Sequence, residues 1–245
     1  MKENIISGRD AAGSHTLQVI SKANRFNKWM YDVFRKQLKG EVLEIGSGIG
    51  NISRLVLEDD LSLTLSDYNP EYFEWLKKEF SFAKNIKEII QINLLHKNFQ
   101  TEYSRFKENY DSIFLVNVIE HLEDDAKALE NCRFILKPGG NLVVLAPAYQ
   151  WLFCNFDKKL GHFRRYTLDS LSEVIRKNDL TITKKQYFNF AGIAGWLLFG
   201  KMLNHKLISK GEMNTFNRFV PLAKWIDKFI ANKAGLSIIL TAQKQ

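Results

Sequence analysis

The chain has 245 residues, 45% of them apolar and 25% charged, which fits one large α/β domain with a sizeable core. Cys132 and Cys154 are the only cysteines, with no Cys-x-x-Cys pair, which argues against a disulfide framework or a structural zinc and points to a reducing compartment. The net charge of +8 is localised: residues 184–245 hold ten lysines and arginines opposed only by Glu212 and Asp227, whereas residues 1–183 are balanced. Such asymmetry fits either an anionic partner for the last quarter or a solubilising lysine surface. The longest apolar run, Phe190–Gly200, is roughly half of the ~20 residues that a membrane span needs. Met1–Asp10 lacks the apolar core of a signal peptide, so the expected location is the cytoplasm.

In chain order, residues 24–38 predict an amphipathic helix. Phe26, Trp29, Met30, Val33, Phe34 and Leu38 recur at three- and four-residue steps, with Asn24 as its cap and Gly40 as its stop. Val42–Ile45 predicts a first strand, which runs into Gly46-Ser47-Gly48-Ile49-Gly50. Glycine there tolerates positive φ and lets a ligand approach the backbone. The short helix that follows, through Ile52, Leu55 and Val56, begins with free N–H groups that suit an electron-rich ligand. The dinucleotide fingerprint would need a third glycine at 51, where Asn51 stands, so a nicotinamide dehydrogenase is disfavoured. Leu61–Ser66 predicts a second strand ending at Asp67, followed by a helix that opens on Pro70. Ile89–Ile92 predicts a third strand running into Asn93-Leu94, and Tyr110–Val116 a fourth ending at Asn117.

Asp124 or Asp125 caps the next helix, with Leu129, Cys132, Ile135 and Leu136 on one face and Lys137-Pro138-Gly139-Gly140 as its stop. Leu142–Leu145 predicts a fifth strand. The aromatic and basic run from Trp151 to Tyr166 then breaks the rhythm, before a helix at 168–177. Strands at 180–189 and 236–242 close the pattern, and 190–234 reads as a helical insertion between them. Alternating strands and helices predict a three-layer αβα, doubly wound and mostly parallel sheet, with its ligand at the carboxyl ends of the strands.

Those strand ends carry suitable residues. Asp67, 17 positions beyond Gly50, can accept both hydroxyls of a ribose. Tyr68 offers an aromatic face to adenine, Asn93 and Leu94 suit its edge, and Asn117-Val118 faces back toward the glycine turn. Each has a purely structural alternative: a tight turn for the glycines, a helix cap for Asp67, and surface positions for the others.

Glu44 with Gly46-x-Gly48-x-Gly50, Asp67, Asn117-Val118-Ile119-Glu120-His121 and Leu136-Lys137-Pro138-Gly139-Gly140 resemble the motifs of class I S-adenosylmethionine-dependent methyltransferases. The resemblance covers residues 42–147, and more loosely 20–41 and 236–242. It implies a seven-strand sheet, hairpin-like at its end, with S-adenosyl-L-methionine as cofactor and S-adenosyl-L-homocysteine as product. Glu44, Gly46, Ser47, Gly48 and Gly50 would hold the methionine part of the cofactor. Asp67, Tyr68, Asn93, Leu94, Asn117 and Val118 would line the rest of its site. The family usually has Asp where this chain has Asn93, which keeps an acceptor oxygen and loses a charge. The implied activity is transfer of a methyl group to an O, N or C atom of a small or lipid- or sugar-linked acceptor. The alternatives are a non-catalytic cofactor-binding module and a methyltransferase acting on RNA or protein. No nucleic-acid motif is present.

Methyl transfer is an in-line displacement governed by alignment, and an oxygen or nitrogen acceptor also needs a base. Of His15, His96, His121, His162 and His205, the candidates are His121 and His162. His121 can equally brace its loop, and His162 can join a surface cluster with Arg164 and Arg165. Glu120 is either solvent-exposed or an orienting group. Arg164, Arg165 and Tyr166 are expected to fix an anionic or sugar-like acceptor. No metal site is expected. Basic amphipathic stretches in 190–234 suit an anionic membrane surface, a lid over a hydrophobic acceptor, or plain packing. The expected organisation is one domain over 1–245: a helical cap at 1–40, a cofactor-binding core at 41–189, the insertion or lid at 190–234, and the last strand at 235–245.

Overall fold

A computed structural model describes residues 10–203 and 207–245. Most of the polar stretch at the N-terminus, with His205 and Lys206, lies outside the described residues. The helices α1 (Ala11–Ser21) and α2 (Asn24–Phe34) precede β1 (Glu41–Ile45), α3 (Ser53–Leu57), β2 (Ser62–Ser66), α4 (Pro70–Phe80) and β3 (Ile86–Ile90). Then come α5 (Phe99–Glu102), β4 (Tyr110–Val116), α6 (Asp125–Ile135), β5 (Leu136–Pro147), α7 (Asn155–Leu160), α8 (Leu168–Lys177) and β6 (Leu180–Phe188). The chain closes with α9 (Ala191–Gly195), a π-helical turn (Trp196–Met202), α10 (Lys210–Phe229) and β7 (Ser237–Lys244).

The seven strands form one sheet in the order β3-β2-β1-β4-β5-β7-β6. All pairs are parallel except those of β7, which runs antiparallel to both β5 and β6. This is the doubly wound, mostly parallel seven-strand architecture with a hairpin-like end. Its strands alternate between two cores, as a period of two demands. Leu43, Ile113, Leu115, Leu142, Val144 and Leu240 face a core closed by Leu129, Cys132, Ile135, Leu171 and Ile175 of α6 and α8. Val42, Leu63, Leu65, Phe114, Val143 and Ile239 face the other, closed by Trp29, Met30, Phe34, Leu76, Phe80 and Val220 of α2, α4 and α10.

Three local expectations are corrected. Ala23, not Asn24, precedes the first turn of α2, and no side chain caps it. The third strand is Ile86–Ile90 rather than 89–92, because this edge strand is half polar and its apolar signal is weak. Lys137-Pro138-Gly139-Gly140 does not form a stop outside the sheet. Helix α6 ends at Ile135 and the chain passes directly into β5, with Gly139 at φ +72° and the register with β4 shifted between Tyr110 and Ser112.

The insertion is fastened by a buried carboxylate. Asp227 of α10 accepts hydrogen bonds from the Asn189 amide at 2.6 Å and the Phe190 amide at 2.8 Å, at the end of β6. Burial raises its pKa. Phe26 of α2 donates its amide to Asn217 Oδ1 at 3.0 Å and packs edge-on to Phe216, so α10 lies against α2. No helix among the described residues is long and apolar enough to cross a membrane. Asp227→Ala would leave two amides without a partner and is expected to destabilise the fold by about 2–3 kcal/mol in urea unfolding. Asp227→Asn, which keeps an acceptor oxygen, should lose less. Equal losses for both variants would contradict this role.

Candidate functional site

The site begins where β1 ends. Gly46 and Gly48 take φ of +71° and +56°, a region that favours glycine. A Cβ at Gly46 would lie 2.4 Å from Val118 Cγ2, so only glycine lets the end of β4 approach this closely. Ser47 ties the turn to β2: its amide donates to the Ser66 carbonyl at 2.9 Å, and its Oγ accepts from the Ser66 amide at 3.2 Å.

Asp67 closes the turn. Its Oδ2 accepts from the Gly48 amide at 2.8 Å and its Oδ1 from the Asn69 amide at 2.9 Å. Burial raises its pKa to about 6, and the negative charge of Asp10 adds to the rise. Glu44 is also buried and is pushed up to about 8, chiefly by desolvation. The Ser53 hydroxyl donates to Glu44, which binds the carboxyl to the start of α3.

Helix α1 lies over this turn. A Cβ on Gly48 would meet Leu17 Cδ1 at 2.9 Å, and Asn51 Nδ2 donates to the Leu17 carbonyl at 3.0 Å. The residue that breaks the dinucleotide fingerprint therefore anchors the covering helix. Asp10 caps α1 through the Gly13 amide and accepts from the Tyr72 hydroxyl at 2.8 Å. Sequence reasoning missed Asp10 and Leu17. An aspartate three residues before Gly13 was the available signal for the cap.

Tyr68 stands open to solvent at the end of β2, 65% exposed. Gln91 Nε2 donates to its carbonyl at 2.8 Å. Asn93 Oδ1 accepts from the Leu95 amide at 2.9 Å, and its own amide donates to the Tyr103 hydroxyl at 3.0 Å. The Leu94 side chain does not face the site: it is buried in the core beside α6, with its carbonyl held by Asn131. Asn117 sits at φ +53° and is exposed, and its amide donates to the Leu145 carbonyl at 2.9 Å.

Past β4, Glu120 is fully buried, which settles its alternatives against solvent exposure. Among the described residues neither carboxylate oxygen has a hydrogen-bond partner, and burial raises its pKa to about 8. The rings of His121 and His162 meet edge to face, with centroids 4.6 Å apart. His121 keeps part of its surface open, yet desolvation and then the neighbouring His162 pull its pKa down to about 4. Asp67 follows β2 and His121 follows β4, and both strands run parallel to β1, so the histidine pair and Asp67 stand at the same carboxyl end of the sheet.

The residues expected to form an anion fork are engaged within the protein. Arg165 is buried, paired with Asp157 at 2.8 Å, hydrogen-bonded to the Ala148 carbonyl, and covered by the Trp196 ring at 4.2 Å. Tyr166 is buried and donates to Asp125 at 2.9 Å. Arg164 pairs with the same Asp125 at 2.8 Å and with the Glu123 carbonyl at 2.6 Å. Arg165 and Tyr166 are buried and hold the 157–166 segment in place, and Arg164, still partly exposed, pairs with the same segment's neighbours. Asp157, which sequence reasoning also passed over, receives His162 Nδ1 at 2.8 Å, Arg165 Nε and the Cys154 amide. These contacts hold its carboxyl below the usual range despite burial.

Residues 43–142 match a family model described as a methyltransferase domain. The chain is 33% identical over 109 residues to the hybrid PKS-NRPS synthetase apdA of Emericella nidulans, covering 42% of this chain and 3% of that protein. It is 26% identical over 143 residues to probable polyketide synthase 27 of Dictyostelium discoideum, covering 51% of this chain and 5% of that one. The chain thus spans under a tenth of the length of these curated relatives. Among solved structures it resembles phosphoethanolamine N-methyltransferase 2 of Haemonchus contortus in complex with S-adenosyl-L-methionine, with a TM-score of 0.63 at 16% identity. That match covers 100% of this chain and 61% of the other.

Proposed function

We propose, from the premise that this chain belongs to the class I S-adenosylmethionine-dependent methyltransferase family, that it methylates an O, N or C atom of a small or lipid-linked acceptor. The observation that carries the cofactor side is the buried Asp67 carboxylate, bonded to the Gly48 amide beside a turn that only glycine can form. The residues fit the cofactor: the Asp67 carboxylate keeps acceptor capacity beyond the backbone amides it receives, the Tyr68 ring is open for adenine, and the glycine turn holds the end of β1 beside Asp67. Asn93, Asn117 and Val118 stand at the neighbouring strand ends and complete the proposed site. Glu44 supports it indirectly, by holding α3 against the turn. Bound there, S-adenosylmethionine supplies a methyl group activated on a sulfonium.

The protein's task is then alignment of the acceptor and disposal of its proton. We assign the proton to the group formed by Glu120, His121 and His162, which lies at the same carboxyl end of the sheet as the glycine turn. A ring whose pKa is about 4 is neutral at physiological pH, so His121 presents a free lone pair.

The acceptor class is argued from α10. Phe216, Val220 and Ala223 face the core, while Phe219, Leu222, Trp225 and Phe229 project outward. Arg218 and Lys228 belong to the same helix, and Lys224 pairs with Asp32 of α2 at 3.5 Å. Met213, near the start of α10, packs on Val19 of α1, the helix that covers the glycine turn. A basic helix with an aromatic outer face suits the surface of an anionic bilayer, next to a lipid-linked acceptor.

Two outcomes test this reading. Asp67→Ala should weaken S-adenosylmethionine binding at least about tenfold, the cost of losing a charged hydrogen-bond partner. Because the Asp67 pKa is raised to about 6, its acceptor form is present above that pH and lost below it. Wild-type affinity should therefore fall between pH 7 and pH 5, and Asp67→Asn should flatten that fall; Asp10 and Glu44 are the neighbouring charges that modulate it. A slope that survives in Asp67→Asn would place the ribose elsewhere. On vesicles containing anionic lipid, the chain should co-sediment at about 0.1 M salt. Trp225→Ser with Phe229→Ser should reduce binding at least about fivefold, since each exposed aromatic buries apolar area on docking. Unchanged binding, or none in the wild type, would remove the membrane contact from the account.

A further inference from the structure

We infer that Glu120, His121 and His162 form a binding site for one divalent first-row transition cation, on the acceptor side of the glycine turn. One donor atom from each of the three lies within 4.8 Å of the others. Two imidazoles and a carboxylate on one side of an ion are an established donor set for zinc and non-haem iron, and leave at least one coordination position open.

The second observation is the state of Glu120. It is completely buried, and neither oxygen has a hydrogen-bond partner among the described residues. A buried carboxylate with nothing to accept from is costly unless something compensates it. Arg165 does not fill this need, because its Nε is committed to Asp157 and another nitrogen to the Ala148 carbonyl. Two buried carboxylates, Asp157 and Glu120, thus share a single guanidinium. A cation between Glu120 and the two rings would supply the missing charge.

The rings are also prepared as ligands. Asp157 Oδ1 lies 2.8 Å from His162 Nδ1, which places the proton on that nitrogen and leaves Nε2 with a lone pair. A carboxylate behind a histidine is the usual device for orienting a metal-binding ring. Asp157 is itself fixed by Arg165 and the Cys154 amide, so the ring cannot swing freely. One nitrogen of His121 is engaged by the Leu160 backbone, which leaves the other for an ion. Imidazole donors select zinc, iron, cobalt, nickel or copper over magnesium or calcium, which prefer sets made wholly of oxygen.

His121 is the member that remains open to solvent, so the free coordination position is accessible from outside. This site deepens the proposed methyl transfer and rests on it for its catalytic meaning: with the cation bound, the two rings serve as its ligands in place of the base, and an acceptor hydroxyl coordinated there would lose its proton to water more readily. Binding of the ion itself does not depend on that reading.

The test is titration of the full, tag-free chain with Co2+ after chelator treatment, read by visible d–d absorption and by displacement with Zn2+. One ion per chain is expected. Glu120→Gln and His162→Ala should each weaken it at least about tenfold, the lower end of what even outer-shell changes cost. His96→Ala, at a histidine that is not part of the cluster, should leave it unchanged. Circular dichroism and thermal melts establish that each variant is folded, and Glu120→Asp, which keeps a carboxylate, should restore part of the affinity. S-adenosylmethionine calorimetry on the same samples separates the two ideas. Cofactor binding without Co2+ binding overturns the cation site alone, and Co2+ binding without cofactor binding overturns the methyltransferase reading alone. Equal Co2+ affinity in wild type and both ligand variants would also overturn the site.

Discussion

The hydrogen bond from the Gly48 amide to the Asp67 carboxylate joins the ends of β1 and β2, and the site is arranged around it. A parallel sheet covered by helices on both faces leaves polar groups little room except at its edges and strand ends. Here the carboxyl ends gather Glu44, Asp67 and Glu120, each pushed upward by desolvation. The three are treated differently. Glu44 is satisfied by Ser53, Asp67 by two backbone amides, and Glu120 by no hydrogen bond among the described residues. That gradient separates a carboxyl tied to a helix start, one held between two turns at the proposed cofactor site, and one for which the proposed cation would supply the missing partner.

The 157–166 segment obeys the same electrostatic logic. Asp157 and Arg165 pair inside the protein at 2.8 Å, and Trp196 of the insertion covers the guanidinium. Breaking such a pair strands a buried charge, so Asp157 and Arg165 hold the segment together. The dividend is the fixed orientation of the His162 ring against His121. A residue that looked catalytic and residues that looked like substrate ligands are thus coupled, with the arginine acting through Asp157.

Much of the fold was legible in the sequence because apolar alternation is strong where strands are buried on both faces. Tyr110–Val116 matches its predicted limits for that reason. Ile86–Ile90 was shifted because Lys87 and Glu88 dilute an edge strand. The glycine turn and Asp67 were legible because backbone conformation demands particular residue types. Burial of a polar side chain leaves no such trace, so Glu120 could not be told from an exposed glutamate, nor Arg165 from a surface arginine. Likewise, periodicity revealed the aromatic content of α10 but not that Phe216 and Val220 face the core while Trp225 and Phe229 face out. Asp157 and His162 are five residues apart, a spacing without helical or strand meaning, and meet only through the turn at Gly161, where φ is +76°.

The central claim is that the turn at Gly46–Gly50 and Asp67 together select a sulfonium cofactor over a dinucleotide. Isothermal calorimetry of the full chain against S-adenosylmethionine, S-adenosylhomocysteine and NAD addresses it directly. The account predicts saturable one-to-one binding of the first two and no measurable heat with NAD. Tight NAD binding with none of the sulfonium cofactor would contradict it.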